Sequence, residues 1–383
     1  MRLPKRMASR VKEYCSDLTQ FATKYMGGTA REVRGSSGLN ATEIADNLDS
    51  LLLLVKSRMA TDATCGGCDV WADESFAAAD RVRSMCWKQM SEEGGWPNVG
   101  WREAYAFALI VLALVHIHRH DSGSKDDLVA LREAIKNLDL ALIMSGSGSA
   151  GMVHTILNGI EPEVEAARYS EPSCDQAEDG GEKYVIGHEL AAAIAPLLDA
   201  ACAIPRVKSI TLADFKKNFF KADKSCIIEG SIEDWPARSK WQDLRYLTTH
   251  FGHRTVPVEL GKLQGGRKMP GWKEEAILLS DFVQDHLVPS NLFLQQSTGM
   301  QQGTNLKHPD NQANVAYLAQ HALFEQLPRL QRDLRVPHYT ECGQLEAINA
   351  WLGTAGTVTP LHHDSYDNLL TQVVGFKYVC LFT

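Results

Sequence analysis

Apolar residues recur at intervals of three and four positions through the first half of the chain, from about Ser9 to Cys202. This spacing lines them along one face of an α-helix, so the segment is predicted to be a set of helices that pack through apolar stripes. The clearest stripes are Leu48-Leu51-Leu52-Val55, Ala104-Phe107-Ala108-Val111 and Leu128-Leu131-Ile135-Leu138-Leu142. Glycine-rich breaks separate them as in an array of tetratricopeptide helix pairs, but the consensus residues of that repeat are absent. A plain helical domain that docks partners or shields a second domain is therefore favoured.

The pattern changes at Ile204-Pro205, where short runs of β-branched and aromatic residues begin to alternate with turn residues. These runs predict strands at Cys226–Ile228, Thr255–Leu260, Ala347–Leu352, Asn368–Val374 and Lys377–Phe382. Helices are predicted between the strands, at Leu212–Phe220, Asp243–Phe251 and Ala316–Leu327. The stretch from Ser290 to Asn314 is rich in Gln, Asn and Gly and is expected to be an inserted loop.

These patterns predict an α+β protein with two domains, a helical domain at residues 1–203 and a strand-rich domain at residues 204–383. The acidic stretch from Tyr169 to Lys183 has few apolar residues, so an exposed loop is expected there. One more helix is predicted from about Gly187 to Cys202.

Composition excludes several classes of protein. With 44% hydrophobic and 22% charged residues in 383, the chain is long and apolar enough for two globular cores. The longest apolar run, Ala104 to Ile117, is shorter than the roughly 20 residues that span a bilayer. No apolar segment follows the basic N-terminus as a signal peptide would, so we expect an intracellular protein that does not enter membranes. The net charge of −8 argues against strong nonspecific binding to nucleic acid.

Candidate metal chemistry is concentrated near the end of the chain. His362 and Asp364 flank one residue in a stretch that is predicted to be extended, so both side chains point to the same face. An imidazole and a carboxylate make up two thirds of the two-histidine, one-carboxylate face of non-haem Fe(II) oxygenases. An aspartate in such an apolar region would be costly to bury without a cation. His363 points to the opposite face and is the less favoured ligand.

A candidate anion-binding residue follows fifteen positions after His362. Lys377 comes directly after a Gly-Phe pair suited to a tight hairpin, so Lys377, Val379 and Leu381 are predicted to share one face of a strand. If that face lines the inside of a barrel, the ammonium group of Lys377 points inward and can bind an acidic ligand.

The second domain resembles the first part of a Jumonji-C (JmjC) domain of Fe(II)- and 2-oxoglutarate-dependent oxygenases. The resemblance covers a little under half of the chain and includes a Tyr-Leu-Ala-Gln-His block that sets one branch apart from generic cupins. The matching runs are Thr255–Gly261, Tyr317–Phe324, Ile348–Gly353, Gly356–Asp364 and Gly375–Tyr378. The fold that this resemblance implies is a double-stranded β-helix, a cupin-type jelly roll, which the sequence contains only in part.

The resemblance also implies roles for individual residues. His362 and Asp364 would bind Fe(II), and Lys377 would pair with the distal carboxylate of 2-oxoglutarate. Four further residues would surround the co-substrate and the substrate: Tyr317 and Thr359 through hydroxyls beside Lys377, Asn368 near the metal-chelating carboxylate, and Trp351 on the substrate side. The substrate would be a protein or peptide, a histone or another basic protein, modified by arginine hydroxylation or methyl-lysine demethylation in the nucleus or cytoplasm.

The sequence departs from the family pattern in one respect. The second iron histidine lies on a later strand in the family, and this sequence has no counterpart, so the chain as it stands is expected to be inactive. A truncated sequence is favoured over a natural short form. Two alternatives remain open: a non-catalytic scaffold with a vestigial JmjC domain, whose helical half recruits a protein partner, and a cupin isomerase or metal-binding protein that does not use 2-oxoglutarate.

Overall fold

The computed structural model describes residues 4–21, 33, 41–60, 67–91, 98–120, 127–145, 148–170, 203–264, 267–288 and 313–382. The chain divides into two compact units, of which the first comprises Met1–Glu178 together with His253–Val256. The second comprises Asp179–Gly252 and Pro257–Thr383. The predicted acidic loop, the helix predicted at 187–202 and nearly all of the loop predicted at 290–314 lie outside the described residues. The boundary between residues 203 and 204 stays a prediction.

The first unit is helical in its described residues up to residue 170, as the apolar stripes predict. Its helices are α1 Pro4–Phe21, α2 Ala41–Ala60, α3 Gly67–Ser91, α4 Val99–His120, α5 Asp127–Ser145 and α6 Ala150–Ser170. Each helix packs against the next along the chain, and α4 packs most extensively, against α3 on one side and α5 on the other.

Helix α4 lies at the centre of the first unit because its apolar residues cover the whole circumference. Residues Ala104–Val115 are all buried, and Phe107, Leu109, Ile110 and Leu114 are among the largest side chains without solvent contact. Within the residues that the structure describes, α4 is the one helix long and apolar enough to cross a membrane, and 83% of its apolar window is buried in the protein. An apolar helix buried to this extent is typical of a protein core.

The first unit also contains a buried ion-pair network that includes the segment His253–Val256. The guanidinium of Arg254 donates to Asp139 on α5, with Nη2 to Oδ1 at 2.5 Å, and its Nη1 donates to Glu161 Oε1 on α6 at 2.6 Å. The backbone N–H of Thr255 also donates to Asp139 Oδ2 at 2.8 Å. The side chains of Arg254 and Asp139 are 4% and 0% exposed, so each charge depends on its partners for the solvation that water would supply.

The second unit is built on an antiparallel sheet. Its strands are β3 Thr255–Gln264, β4 Arg267–Lys268, β5 Lys273–Leu278, β6 Ala313–His321 and β7 Ala350–Gly353, and a separate parallel pair is formed by β1 Arg206–Lys208 and β2 Ile227–Glu229. The path through the sheet runs β4-β3-β6-β7, and β5 pairs with β3 away from this path. The sheet places the middle of β6 between β3 and β7, where a side chain has neighbours on both sides.

Short helices accompany the strands. They are α7 Leu212–Phe215, which continues as a π-helical turn at Lys216–Phe220, α8 Ala237–Lys240, α9 Leu244–Phe251, α10 Leu279–Asp281, α11 Leu323–Gln326 and α12 Pro328–Gln331. Asp243 caps α9 by accepting a hydrogen bond from the backbone N–H of Arg245, so this helix begins where the sequence predicts.

A buried carboxylate lies among these helices. Asp333, whose side chain is 2% exposed, accepts hydrogen bonds from Lys240 Nζ at 2.5 Å and from the Tyr246 hydroxyl at 2.7 Å. The indole N–H of Trp241 donates to the same carboxylate at 3.1 Å. Burial alone would raise the pKa of Asp333, but the donors from Lys240, Tyr246 and Trp241 outweigh it and hold that pKa below its ordinary value.

The structure corrects three local predictions. The helix predicted at Ala316–Leu327 is wrong in its first half, where Ala316–His321 is part of strand β6 and only Leu323–Gln326 is helical. The strands predicted at Asn368–Val374 and Lys377–Phe382 are also wrong, since the described residues 354–382 form neither helix nor strand. An isolated stretch of β-prone residues needs the backbone of a neighbouring strand to pair with, and none of the described strands pairs with this one. The shared face predicted for Lys377, Val379 and Leu381 is lost with it.

Candidate functional site

The site begins on β6, where Tyr317 lies opposite Glu259 of β3 and Gly353 of β7. The Tyr317 ring packs with Leu263 and Val315, and Trp272 lies against the same cluster. A side chain at Gly353 would collide with this ring, because a Cβ there would lie 2.5 Å from Tyr317 Cδ2. Residue 353 is therefore glycine for reasons of space, and the ring is confined from two sides.

Lys377 reaches the hydroxyl of Tyr317 from a segment without regular structure. Its Nζ donates to the Tyr317 hydroxyl at 3.2 Å and lies 5.6 Å from the centroid of the Trp351 ring. In the described part of the chain, no carboxylate lies within ion-pair distance of Lys377. An ammonium group that is oriented by a hydroxyl and an aromatic ring but lacks a counterion is suited to bind an anion.

His362 and Asp364 face each other at the position where the sequence predicts a metal. His362 Nε2 lies 3.5 Å from Asp364 Oδ1, and the two side chains are 57% and 48% exposed. His362 Nδ1 lies 2.8 Å from the Pro360 carbonyl oxygen, which can only accept a hydrogen bond, so Nδ1 is the donor there and Nε2 is the ring nitrogen that faces the aspartate. A ring nitrogen held in this way by a backbone carbonyl is the usual arrangement around a metal-binding histidine.

Asn368 orients the carboxylate. Its Nδ2 donates to Asp364 Oδ2 at 2.7 Å, so the oxygen that faces His362 is the other one, Oδ1. Each of the two side chains is thus held by one hydrogen bond, His362 through Nδ1 and Asp364 through Oδ2.

The donor set fits part of an iron site. Nitrogen and oxygen ligands lie about 2.1 Å from a first-row divalent metal, so two atoms 3.5 Å apart can share one ion. The described residues contain no group of three or more His, Cys, Asp or Glu that could hold a metal. His362 and Asp364 could therefore supply two ligands, and no third ligand of the predicted triad stands beside them among the residues that the structure describes.

The predicted site residues fall into two groups. One contains His362, Asp364 and Asn368, and the other contains Lys377, Tyr317 and Trp351; no hydrogen bond or ion pair joins them among the described residues. Thr359 is exposed and makes no hydrogen bond in the described structure, so the predicted second hydroxyl beside Lys377 is not observed there. The metal and 2-oxoglutarate roles of these residues stay predictions.

Two glycines that confine aromatic rings near the site are not predicted by the sequence patterns. Gly353 makes room for the Tyr317 ring, and Gly261 does the same for Trp272, because a Cβ at Gly261 would lie 2.6 Å from Trp272 Cε3. Glycine within a strand is the signal that could have indicated these close approaches.

Comparison with known proteins identifies both parts of the chain. Residues 212–383 match the family described as "Cupin-like domain", and residues 56–171 match "KDM8-like, N-terminal ARM repeats". The second match shows that helices α3–α6 belong to an array of ARM repeats, where the sequence analysis had weighed tetratricopeptide repeats and favoured a plain helical domain.

The chain belongs to the JmjC family, in the branch that combines a cupin-like domain with KDM8-like ARM repeats. It is 33% identical to lysine-specific demethylase JMJ30 of Arabidopsis thaliana over 85% of this chain and 71% of that protein. It is 29% identical to lysine-specific demethylase 8 of Danio rerio over 81% of this chain and 70% of that protein. It is 35% identical to Jumonji C domain-containing protein 5 of Drosophila melanogaster over 47% of this chain and 41% of that protein. The resemblance and the fold class predicted from the sequence are confirmed.

Proposed function

We propose that this chain carries the iron- and 2-oxoglutarate-binding part of an oxygenase that acts on protein side chains. The observation that supports it most is the spacing of His362 Nε2 and Asp364 Oδ1, 3.5 Å apart with each side chain held by a further hydrogen bond. The ammonium group of Lys377, which has no carboxylate within ion-pair distance among the described residues, is oriented by Tyr317 in the same unit.

Each residue has a defined task in this proposal. Lys377 and the Tyr317 hydroxyl bind the distal carboxylate of 2-oxoglutarate, and a hydrogen-bonded cation of this kind binds a carboxylate strongly. His362 and Asp364 hold Fe(II). The hydrogen bonds with Pro360 and Asn368 keep His362 Nε2 and Asp364 Oδ1 facing each other. Iron with 2-oxoglutarate supplies the oxidation of an unactivated C–H bond by O2, which amino acid side chains cannot perform alone.

The substrate that we propose is a cationic side chain of a protein. Trp351 is 42% exposed, and Lys377 Nζ lies 5.6 Å from its ring centroid, so the indole is accessible to solvent and already lies near one cation. An exposed indole binds arginine or methylated lysine through its ring face. Two relatives are named lysine-specific demethylases, which favours methyl-lysine, and arginine hydroxylation is the other outcome of the same chemistry. We expect the ARM repeats to bind a protein partner and the protein to act in the nucleus or cytoplasm.

Binding of 2-oxoglutarate with and without Mn²⁺, measured by isothermal titration calorimetry, tests the proposal. We expect Mn²⁺ to strengthen 2-oxoglutarate binding, His362→Ala to abolish this enhancement, and Lys377→Ala to weaken binding under both conditions. His363→Ala and Lys56→Ala are matched controls, because both residues are exposed and neither belongs to the proposed site. Unchanged binding in Lys377→Ala with loss of metal in His362→Ala would instead support a cupin metal protein that does not use 2-oxoglutarate.

A non-catalytic scaffold is the second candidate, and the two-ligand set among the described residues favours it. It predicts that neither Mn²⁺ nor 2-oxoglutarate binds at millimolar concentration and that the His362→Ala variant keeps full binding to a protein partner. Succinate release from 2-oxoglutarate in the presence of Fe(II) and a basic peptide, lost in both His362→Ala and Lys377→Ala, would exclude the scaffold.

A further inference from the structure

The beginning of the second unit is strongly basic in a chain that is acidic as a whole. Residues 206–224 contain six lysine or arginine residues and two aspartates, whereas the net charge of the chain is −8. We call these residues the basic segment; its members are Arg206, Lys208, Lys216, Lys217, Lys221 and Lys224. All six side chains are exposed. The average composition of an acidic chain does not account for this local excess of positive charge in residues 206–224.

Two of the six charges are neutralised within the protein. Arg206 Nη1 lies 2.9 Å and Lys208 Nζ 3.6 Å from the carboxylate of Glu229 on the neighbouring strand β2. The pKa of Glu229 is lowered, chiefly by the hydrogen bond from Arg206; burial opposes this, and the charge of Lys208 adds a further lowering. This corner of the segment is internally balanced and offers little to a partner.

The remaining four lysines have no carboxylate partner among the described residues. They lie close together, since the backbone N–H of Lys221 donates to the Lys216 carbonyl at 2.9 Å and closes a π-helical turn around Lys217. Of the two aspartates in the segment, Asp214 accepts a hydrogen bond from the Thr211 hydroxyl at 2.7 Å, and Asp223 is exposed between Lys221 and Lys224 in sequence, so the four lysines exceed the carboxylates of the turn. Like charges one helical turn apart repel each other, so this arrangement costs stability unless an anion compensates.

An exposed aromatic ring lies among these lysines. Phe215 packs on Phe219 and Tyr339, with ring centroids 6.3 and 5.0 Å apart, so those rings form the inner side of the turn. Phe220 is instead 38% exposed, between Lys217 and Lys221 in sequence. An exposed ring surrounded by cations combines apolar and electrostatic attraction on one surface.

We propose that Lys217, Phe220, Lys221 and Lys224 form a docking surface for an acidic polypeptide segment, rich in Asp and Glu and carrying an apolar residue that packs on Phe220. These four residues lie within eight positions of the chain, and the backbone N–H groups of Lys221 and Lys224 donate to the carbonyls of Lys216 and Phe219, so the turn keeps their backbones close together. A short acidic peptide is favoured over nucleic acid because its charge can be confined to the patch. A nucleic acid carries a phosphate charge every few ångström, so it would extend past the patch by more than the screening length of about 8 Å. There its phosphates would be repelled by the negative charge of the rest of the chain. None of these four residues belongs to the proposed iron and 2-oxoglutarate site.

Fluorescence anisotropy with a labelled 12-residue peptide containing six acidic residues and two leucines tests this proposal, in buffer without metal or 2-oxoglutarate. We expect saturable binding that weakens as NaCl rises from 50 to 300 mM, and a loss of about tenfold or more in affinity for the triple variant Lys217→Glu, Lys221→Glu, Lys224→Glu. The Phe220→Ser variant should lose about threefold or more while keeping the same salt dependence.

The control variant carries Lys56→Glu, Lys88→Glu and Lys136→Glu, which change the net charge equally on exposed helical positions of the first unit. Circular dichroism on both triple variants distinguishes loss of binding from loss of folding. Equal weakening by the two triple variants would show a nonspecific charge effect and overturn the proposal. Binding of a 12-nucleotide single-stranded DNA more tightly than the acidic peptide, or no binding of the peptide at 50 mM NaCl, would also overturn it.

Discussion

The ammonium group of Lys377 lies 3.2 Å from the hydroxyl of Tyr317, although sixty residues separate them in the chain. Tyr317 is confined in the sheet between Gly353 and the Leu263–Val315 cluster, whereas Lys377 comes from a segment without regular structure. The ring therefore provides the fixed point, and the lysine is oriented by it.

Removing the hydroxyl of Tyr317 tests this orientation. Tyr317→Phe keeps the ring and its packing but leaves Lys377 without its hydrogen-bond acceptor, so we expect 2-oxoglutarate affinity to fall by about tenfold. Calorimetric titration in the presence of Mn²⁺ measures the change. Tyr366→Phe, at a residue that is 68% exposed, is the control and should leave the affinity unchanged. Equal affinities in Tyr317→Phe and the unaltered chain would contradict the role of the hydroxyl.

Adding a methyl group at Gly353 should displace the Tyr317 ring. The added Cβ would lie 2.5 Å from Tyr317 Cδ2 and 3.2 Å from the Ala316 carbonyl oxygen, which belongs to the backbone and cannot rotate away. We expect Gly353→Ala to lower the free energy of unfolding by about 1–3 kcal/mol and to weaken 2-oxoglutarate binding. Gly343→Ala is the matched control, because nothing lies within 4 Å of a Cβ at that position. Urea unfolding followed by circular dichroism would refute the prediction if both variants matched the unaltered chain.

The hydrogen bond from Asn368 to Asp364 should contribute to metal affinity. Asn368→Leu leaves both proposed ligands in place but frees the carboxylate to rotate, so we expect Mn²⁺ affinity to fall by about 10- to 100-fold. Electron paramagnetic resonance of free Mn²⁺ during titration measures it. Gln344→Leu, an exposed polar-to-apolar change outside the site, should have no effect. A purely structural role for Asn368 predicts instead that unfolding changes while Mn²⁺ affinity does not.

Loss of Arg254 should destabilise the first unit strongly. Arg254→Ala leaves the carboxylates of Asp139 and Glu161 buried without their cation, and we expect about 3–5 kcal/mol of destabilisation. Arg335→Ala removes an ion pair with Asp234 whose side chains are 70% and 59% exposed, so we expect it to cost at most about 1 kcal/mol. Thermal unfolding of the two variants compares them directly, and similar melting temperatures would contradict the importance of burial.

The Asp333 carboxylate should make stability depend on acid pH. Because its folded-state pKa lies below the ordinary value of 3.8, its contribution is present above that value and is lost as the pH falls through it toward the folded-state pKa. We expect Asp333→Asn to destabilise the protein by about 2 kcal/mol at pH 7 and by much less at pH 3. Urea unfolding at the two pH values measures the difference, and a gap that stays constant or widens in acid would contradict the assignment.

Local features of the sequence were sufficient where an element is stabilised by its own residues. The apolar periodicity of Ala104–Val111 predicts a helix, although one packed through a single face rather than buried all round, and Asp243 marks the start of α9. His362 and Asp364 also lie close together, but not through the strand geometry that the sequence predicts, since the described residues 354–382 form no strand.

The sequence alone was not sufficient where distant backbones or side chains compete with local preference. Ala316–His321 contains good helix formers, yet it is a strand because β3 and β7 satisfy its backbone from both sides, and such pairing outweighs propensities of less than about 1 kcal/mol per residue. The β-prone residues 368–382 lack such partners among the described strands and are not a strand. Sequence by itself determined the two-part organisation, helical repeats followed by a cupin-like domain. Only the tertiary structure decided that Lys377 meets Tyr317 and that Arg254 meets Asp139, because those contacts depend on how separate segments pack rather than on their spacing along the chain.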